Sequence, residues 1–186
     1  MKHITLTMVL ALTMLCAALK AQTASETQQG NPSSITDYNW RRIQKWNEMA
    51  KNQVRMFDAD TARARCGLLQ SGIDPMSTLA AFISRCGGMI VDSGWVRVLG
   101  SGCPQFDRGL VDWNEGKSKS TGESSKYLLI ADDVIGGFFG LYTTPDVRFE
   151  NSVVYYRGPH DLLWTSTGMR YSDFLRFCFF GQIHEF

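Results

Sequence analysis

The sequence carries little net charge and few of the residues that commonly carry out catalysis. It has 19 basic and 18 acidic residues, three histidines and no Gly-x-Ser-x-Gly motif. A near-neutral chain without a basic stretch lacks the phosphate-neutralising surface on which nucleic-acid binding depends. Without the nucleophile elbow, an α/β-hydrolase type of site has no support. These absences argue against nucleic-acid recognition and against nucleophilic catalysis.

One apolar run stands out, and it lies near the start of the chain at residues 4–15 (ITLTMVLALTML). Lys2 and His3 precede it, and small residues follow it. The run is too short to cross a hydrocarbon layer of about 30 Å as a helix. This layout is typical of a secretory signal peptide. We predict a signal at residues 1–21, cleavage after Ala21 and a periplasmic or secreted product without a membrane span.

Cys16 leaves a second form of export open. A lipoprotein signal requires a small residue immediately before the lipidated cysteine, and here that residue is Leu15. Lipidation of Cys16 is therefore the less favoured alternative. Removal of Lys2 and Lys20 with the signal leaves 17 basic residues against 18 acidic ones.

The rest of the chain divides into a polar leader and one domain. Residues 22–36 contain almost no large apolar side chain, which predicts a disordered leader. Residues 37–186 are enough for a single domain with its own hydrophobic core. Helical periodicity comes first and apolar strand-like runs gather later, with short connections between them. This order predicts an α+β domain in which N-terminal helices pack on a mostly antiparallel sheet and a C-terminal helix closes the fold.

Sequence pattern places the individual elements as follows. Helices are predicted at residues 38–57 with Asp37 as N-cap, at 60–69 with Ser71-Gly72 as its end, after Asp74-Pro75 up to Gly87-Gly88 with Asp74 as N-cap, and from Ser172 with Phe174, Leu175, Cys178 and Phe179 facing inward. Strands are predicted at residues 89–91, 95–99, 127–131, 138–142, 153–157 and 162–165. A surface loop is predicted at residues 115–126.

Four cysteines follow the predicted signal: Cys66, Cys86, Cys103 and Cys178. An even number in an exported chain permits two disulfides. The spacing is wide, and no Cys-x-x-Cys is present, so a zinc site of the cysteine and histidine kind is not expected. We expect no obligatory disulfide framework. If a single bridge forms, Cys66 with Cys86 is the predicted pair.

Asp132 and Asp133 are the strongest candidates for metal chemistry. Adjacent carboxylates at a strand end can bind a divalent cation through oxygen. Neighbours in a strand point to opposite faces, however, so a turn would have to bring both side chains to one ion. The alternative is a turn pair in which one aspartate accepts backbone N–H bonds. His160 is the histidine that could join them, and Cys103 the thiol that could pair with it as a dyad.

Aromatic residues are dense towards the C-terminus and offer a recognition surface. Tyr155 and Tyr156 alternate in a strand, so one of them faces away from the core unless both sides of the sheet are covered. Trp164 follows in the next predicted strand, at residues 162–165. Tyrosine and tryptophan are favoured at protein contacts, which makes Tyr155 and Trp164 candidate binding residues.

Three segments together resemble a known family: VDSGWVRVLGSGCPQF, LLIADDVIGGFFGLY and VVYYRGPHDLLWTSTGMRYSDFLRF. They are similar to the bacterial domain-of-unknown-function family 2625, from about Trp40 to Phe180. This resemblance implies no activity and no catalytic residue. The sheet pattern with its Gly-Gly-Phe strand and closing aromatic helix is in turn similar to SUKH-type domains. Those are α+β binding modules, several of which are immunity proteins against bacterial toxins.

The combined expectation is an exported, non-enzymatic domain that binds another protein and needs no cofactor. The alternative is a small periplasmic metal- or ligand-binding protein or hydrolase built around Asp132, Asp133 and His160. An exposed aromatic surface favours the first, and convergence of the two carboxylates on one side would favour the second.

Overall fold

The computed structural model describes residues 35–117, 126–142 and 152–185. The predicted signal peptide, Cys16 and the greater part of the predicted leader lie outside the described residues. Within the described part of the chain, none of the helices is long and apolar enough to cross a bilayer.

Helices and strands alternate along the described ranges. In chain order they are α1 (Ile35–Glu48), β1 (Val54–Asp58), α2 (Thr61–Ser71), α3 (Thr78–Arg85), β2 (Cys86–Val91), a 3₁₀ turn (Asp92–Gly94), β3 (Val96–Leu99), α4 (Leu110–Lys117), β4 (Tyr127–Asp133), β5 (Phe138–Tyr142), β6 (Val153–Arg157), β7 (Thr165–Arg170), α5 (Tyr171–Phe180) and a 3₁₀ turn (Ile183–Glu185).

The seven strands form one sheet in the order β1-β2-β3-β4-β5-β6-β7. Each strand pairs antiparallel with the next strand in the sequence. The hairpin turns β2–β3, β4–β5 and β6–β7 therefore lie at one end of the sheet, which we call the hairpin end. The predicted α+β architecture with an antiparallel sheet and a closing helix is confirmed.

One face of the sheet, which we call the inner face, packs against α1, α3 and α5. Because strand residues alternate between faces, every second residue of β5 and its neighbours enters this core. Phe139 and Leu141 are fully buried, and the Phe139 ring lies 5.0 Å from that of Phe174 on α5. The inward set predicted for the last helix is confirmed, since Phe174, Leu175, Cys178 and Phe179 are all buried.

The opposite face, the outer face, is covered at its β1–β3 side by residues 100–117. Phe106 lies over Gly88, where a Cβ atom would stand 2.2 Å from the ring, and stacks with Phe57 at 5.4 Å. Asn114 of α4 binds the part of β4 that does not pair with β3. Its Oδ1 accepts from the Leu129 N–H at 2.8 Å, and its Nδ2 donates to the Leu129 carbonyl at 2.9 Å. The rest of the outer face, over β4 to β6, has no helix packed on it within the described ranges.

The predicted helix at residues 38–57 is wrong in its second half. The helix begins at Ile35 and ends at Glu48, and β1 follows. Asn52 explains the break, because its side-chain amide donates to the carbonyls of Cys178 and Gly181 at the end of α5, both at 2.9 Å. This contact turns the chain into the sheet. Asp37 lies inside the first turn and pairs with Arg85 at 2.7 Å, so it is not the N-cap.

Other boundaries differ for local reasons. Helix α3 is capped by Ser77 and not by Asp74, whose carboxylate instead accepts from the Met76 N–H in the preceding turn. Gly87 and Gly88 lie within β2 and do not end a helix. Glu115–Lys117, predicted as loop, belong to α4. By contrast, the predicted second helix is confirmed with slightly shifted bounds, from Thr61 to Ser71, and Gly72 ends it as a left-handed C-cap. Asp60 lies just before this helix and is its N-cap, which was not predicted.

Cys86, Cys103 and Cys178 are free and buried. The predicted Cys66–Cys86 bridge is therefore wrong. Cys86 begins β2 directly after α3, and its thiol donates to the Gly88 carbonyl at 3.1 Å. Burial raises the pKa of the Cys86 thiol from 9.0 to about 12.

This raised thiol pKa predicts an alkaline loss of stability. Above pH 9 the unfolded chain releases the Cys86 proton while the folded chain retains it until about pH 12. The free energy of unfolding therefore falls by about 1.4 kcal/mol per pH unit from this group within that window. The Cys86→Ala variant lacks this slope, so its stability deficit at pH 8 should shrink by pH 10.5. Urea unfolding under reducing conditions measures the difference, and a deficit that is constant with pH would contradict the assignment.

Candidate functional site

Asp132 and Asp133 end β4 and face opposite sides of the sheet. Asp132 lies on the outer face and is 5% exposed. Its carboxylate accepts from Arg97 Nε at 3.1 Å and Arg97 Nη2 at 2.8 Å, and from Arg108 Nη1 at 2.6 Å. Arg97 lies directly across the strand pair on β3, and Arg108 comes from the segment before α4. One buried carboxylate thus joins two strands to the outer covering segment.

Asp133 lies on the inner face and holds the β4–β5 turn. Its carboxylate accepts from the Gly137 N–H and from the Tyr156 hydroxyl, both at 2.7 Å. A Cβ atom at Gly137 would lie 2.4 Å from Tyr156 Oη and 2.5 Å from Asp133 Oδ2, so glycine is required there. Burial, followed by the hydrogen bond to Asp133, raises the pKa of Tyr156 above its ordinary value. The Tyr156 hydroxyl therefore stays protonated as a structural donor at neutral pH.

These contacts bear on the metal and hydrolase hypotheses. Because the two carboxylates face opposite sides and each already accepts from protein donors, their side chains do not meet at one ion. His160 is exposed in the β6–β7 connection. Among the described residues, no three His, Cys, Asp or Glu side chains are grouped closely enough to hold a metal.

Cys103 and His160 are placed far apart in the sheet. Cys103 is buried beside Phe57 and Phe106, next to β2. His160 follows β6, four strand positions away. At about 4.8 Å per strand the separation is roughly 19 Å, which excludes a dyad.

The sheet brings Tyr155 and Trp164 together on the outer face. Tyr127 lies between them, with its ring 5.5 Å from that of Tyr155 and stacked on Trp164 at 4.3 Å. Tyr142 adds a fourth ring, 5.2 Å from Tyr127. Trp164 lies over Gly140, where a Cβ atom would be 3.2 Å from its ring. We call Tyr127, Tyr142, Tyr155 and Trp164 the aromatic cluster.

Sequence reasoning missed two members of this cluster. Tyr127 and Tyr142 sit at the ends of the predicted strands and are directly paired in the register. Tyr142 lies two residues after Gly140 in β5, so strand alternation alone places these two residues on one face. Placing Tyr127 and Tyr155 on the same face also requires the register, in which Tyr127 pairs with Tyr142 and Gly140 pairs with Tyr155.

The residues before Trp164 are exposed and apolar. Leu162 and Leu163 were predicted to begin a short strand at residues 162–165, but β7 starts at Thr165. The two leucines instead lie in the β6–β7 connection with 91% and 79% exposure. Val134 and Ile135 in the β4–β5 turn are also exposed, at 53% and 56%. The β4–β5 turn and the β6–β7 connection, both at the hairpin end, therefore present apolar side chains to solvent.

His184 takes part in a polar contact at the C-terminal end of the described chain. Its Nε2 lies 3.0 Å from Asp92 Oδ2, and its ring lies 4.5 Å from the Trp95 ring. Asp92 adopts a positive φ of 44°, held by hydrogen bonds with the Gln53 backbone. The contact fixes the last 3₁₀ turn to the β2–β3 turn, which is a structural role.

Comparison with protein families matches residues 33–186 to the protein of unknown function DUF2625. The chain belongs to the DUF2625 family. The family predicted from the sequence is therefore confirmed, and the match covers all residues that the structure describes. The family description assigns no activity to this DUF2625 domain.

Two bacterial relatives of the DUF2625 domain are similar over most of its length. An uncharacterised protein of Haemophilus influenzae is 36% identical over 148 residues, which are 79% of this chain and 64% of that protein. The uncharacterised protein YbfG of Escherichia coli K12 is 31% identical over 150 residues, which are 81% of this chain and 68% of that protein. The chain thus spans about two thirds of the length of these relatives.

The two aspartates should differ in their effect on stability. Asp132→Asn leaves Arg97 and Arg108 without their anion, and we expect it to lower the free energy of unfolding by about 1–3 kcal/mol, less than for a fully buried pair because both guanidiniums are partly exposed. Asp133→Asn retains an oxygen for the Gly137 N–H and should cost about 1 kcal/mol. Urea unfolding at pH 7 measures both. A larger loss for Asp133→Asn would show that the outer ion pairs are not the stronger constraint.

Proposed function

We propose that this DUF2625 domain is an exported protein-binding module and that its outer face and hairpin end form the contact surface. The observation that carries the proposal is the run Leu162-Leu163-Trp164. Two leucines expose 91% and 79% of their surface next to a tryptophan stacked in the aromatic cluster. Contiguous exposed apolar side chains of this kind mark interaction sites more often than single exposed ones.

The composition of the surface supports a protein as the partner. Aromatic residues are enriched at the centres of protein interfaces, where they supply large contact areas with few rotatable bonds. The rings of Tyr142, Tyr155 and Trp164 each contact that of Tyr127, so the cluster is already ordered before binding and little side-chain entropy is lost on association. The resemblance to SUKH-type binding modules supports the same class of function.

Geometry gives the competing function no support. A metal-dependent or hydrolytic site would need Asp132, Asp133 and His160 to converge, whereas the two carboxylates face opposite sides and His160 is exposed in a turn. The carboxylates of Asp132 and Asp133 instead hold strands and a turn of the sheet in place.

Export is part of the proposal and is supported by the apolar run at residues 4–15 with small residues after it. Expression of the full chain in a bacterial host should yield a product in the periplasmic or extracellular fraction that begins at Gln22. Intact mass measurement reads the cleavage position directly. A product that begins at a lipidated Cys16 would show that the protein is exported as a membrane-anchored lipoprotein. An uncleaved product in the cytoplasm would contradict export.

Binding through the leucine pair is tested by site-specific crosslinking. A photo-crosslinking amino acid in place of Leu163 should give a discrete adduct with a cell-envelope protein in the native host. The same amino acid in place of Leu69, which is 72% exposed on α2, is the matched control and should give none.

A second variant separates binding from folding. Leu162→Ser combined with Leu163→Ser removes exposed apolar surface only, so the free energy of unfolding should change by less than about 0.5 kcal/mol per site. Recovery of the adduct partner by affinity capture should nevertheless fall strongly. Equal adduct formation at positions 163 and 69, or undiminished capture by the double variant, would reject this surface.

A further inference from the structure

A row of charged residues crosses the outer face beside the aromatic cluster. The strand register places Arg97 opposite Asp132, Asp132 opposite Phe138, and Phe138 opposite Arg157. All four residues therefore occupy one row on one face, since directly paired residues share a face. Arg108 reaches the same row from the covering segment through Asp132.

The row has an excess of positive charge. It contains the guanidiniums of Arg97, Arg108 and Arg157 and the carboxylate of Asp132, while the adjacent Asp133 faces the inner side with Tyr156. Asp112 of the neighbouring α4 pairs with Arg63. The Asp161 carboxylate accepts from the Gly158 N–H in its own turn and lies near Arg157, whose Nε donates to the Asp161 carbonyl at 3.2 Å. The carboxylates of Asp132 and Asp161 thus balance only part of the charge of three arginines.

The guanidiniums of Arg97 and Arg108 are held in place and still have donors to offer. A guanidinium carries five N–H donors. Arg97 uses three of them, two on Asp132 and one on the Asp133 carbonyl at 2.6 Å. Arg108 uses one on Asp132 and lies 4.4 Å above the Trp113 ring. Their side chains are 25% and 29% exposed, so both arginines reach the solvent-facing surface of the outer face.

Fixed arginines with spare donors suit carboxylates, because a planar guanidinium binds a carboxylate through two parallel hydrogen bonds. Fixation by Asp132 and Trp113 lowers the entropy lost when an anion is bound. Gly140, under Trp164, is two residues along β5 from Phe138, which is about 7 Å. An anion at the arginine row would therefore lie next to the aromatic cluster.

From this arrangement we infer that Arg97, Arg108 and Arg157 bind the carboxylates of an acidic segment of a protein partner, whose neighbouring apolar side chains lie on the aromatic cluster. The inference rests on the proposed function and names the chemistry of its partner. The ligand is a polypeptide with two or more glutamates or aspartates beside large apolar residues. Free carboxylates and inorganic phosphate share the anionic chemistry and are separate arms of the test.

The test is a titration of the domain with a blocked heptapeptide that carries four glutamates around a leucine, a phenylalanine and a leucine. The signals of the arginine Nε–H groups in ¹⁵N NMR spectra report binding, and the matched peptide has glutamine in place of each glutamate. Signals of Arg97 and Arg108 should shift with the acidic peptide only. Raising NaCl to 0.5 M should weaken the binding, because exposed charges are then screened beyond about 4 Å.

Charge-removing variants identify the residues involved. Arg108→Gln and Arg157→Gln should each weaken acidic-peptide binding by roughly tenfold. Arg176→Gln removes the same charge from α5, on the other side of the sheet, and should leave affinity unchanged. Urea unfolding of each variant separates loss of binding from loss of the fold. Arg157→Gln leaves the ion pairs of Asp132 with Arg97 and Arg108 intact, so it should unfold as the wild type does while binding the acidic peptide more weakly.

Each outcome decides the inference. Equal binding of the glutamate and glutamine peptides, or loss of affinity equal in Arg176→Gln and Arg157→Gln, overturns it. Succinate or inorganic phosphate that shifts the arginine signals as strongly as the peptide at equal concentration overturns the acidic polypeptide as ligand. If the acidic peptide does not bind while crosslinking at position 163 succeeds, the protein-binding function stands without an acidic partner. Peptide binding without a position-163 adduct would retain the arginine site and reject the leucine pair as contact surface.

Discussion

The carboxylate of Asp132, shared by two arginines, is the constraint on which the outer face depends. It is 5% exposed and bonded to Arg97 on β3 and Arg108 in the covering segment. A single buried carboxylate in that position would be costly, but two guanidiniums compensate it and remain in contact with water. The bond from Arg108 ties the middle of the covering segment to β4. Within the described ranges, the outer face over β4 to β6 has no helix packed on it.

Strand alternation explains how neighbouring aspartates came to have separate tasks. A step of one residue along β4 moves the side chain from the outer to the inner face. Asp132 therefore meets arginines, and Asp133 meets a turn amide and the Tyr156 hydroxyl. This division was predictable from the sequence as an argument against a shared ion. The partners were not, because Arg97, Arg108 and Tyr156 lie 35, 24 and 23 residues away in the chain.

The limits of prediction for the fold have the same origin. Segments whose own pattern decides their structure, such as the helix between Asp60 and Gly72 and the strand at Phe138–Tyr142, were predicted with nearly correct bounds. Val54–Asp58 was assigned to a helix, because the local spacing of apolar residues fitted one. Its strand structure depends on pairing with β2 and on Asn52 binding the end of α5, both of which are tertiary contacts. Likewise, Trp164 was identified as a binding candidate, but its contact with Tyr127 needed the register of β4 to β6.

The edges of the sheet indicate why a partner would use its face. An unpaired edge strand is a template for pairing with another chain unless a bulge or charge interrupts it. Strand β1 has a register shift at Phe57/Asp58, and the β6–β7 pairing shifts between Val153 and Tyr155, with Gly168 of β7 at a φ of 72°. Both described edges are thus irregular, which disfavours addition of a further strand. The face over β4 to β6 has one register shift, between Leu129 and Ala131. Its rings are already in contact and its charge is set by fixed arginines, so recognition there requires little rearrangement of the domain.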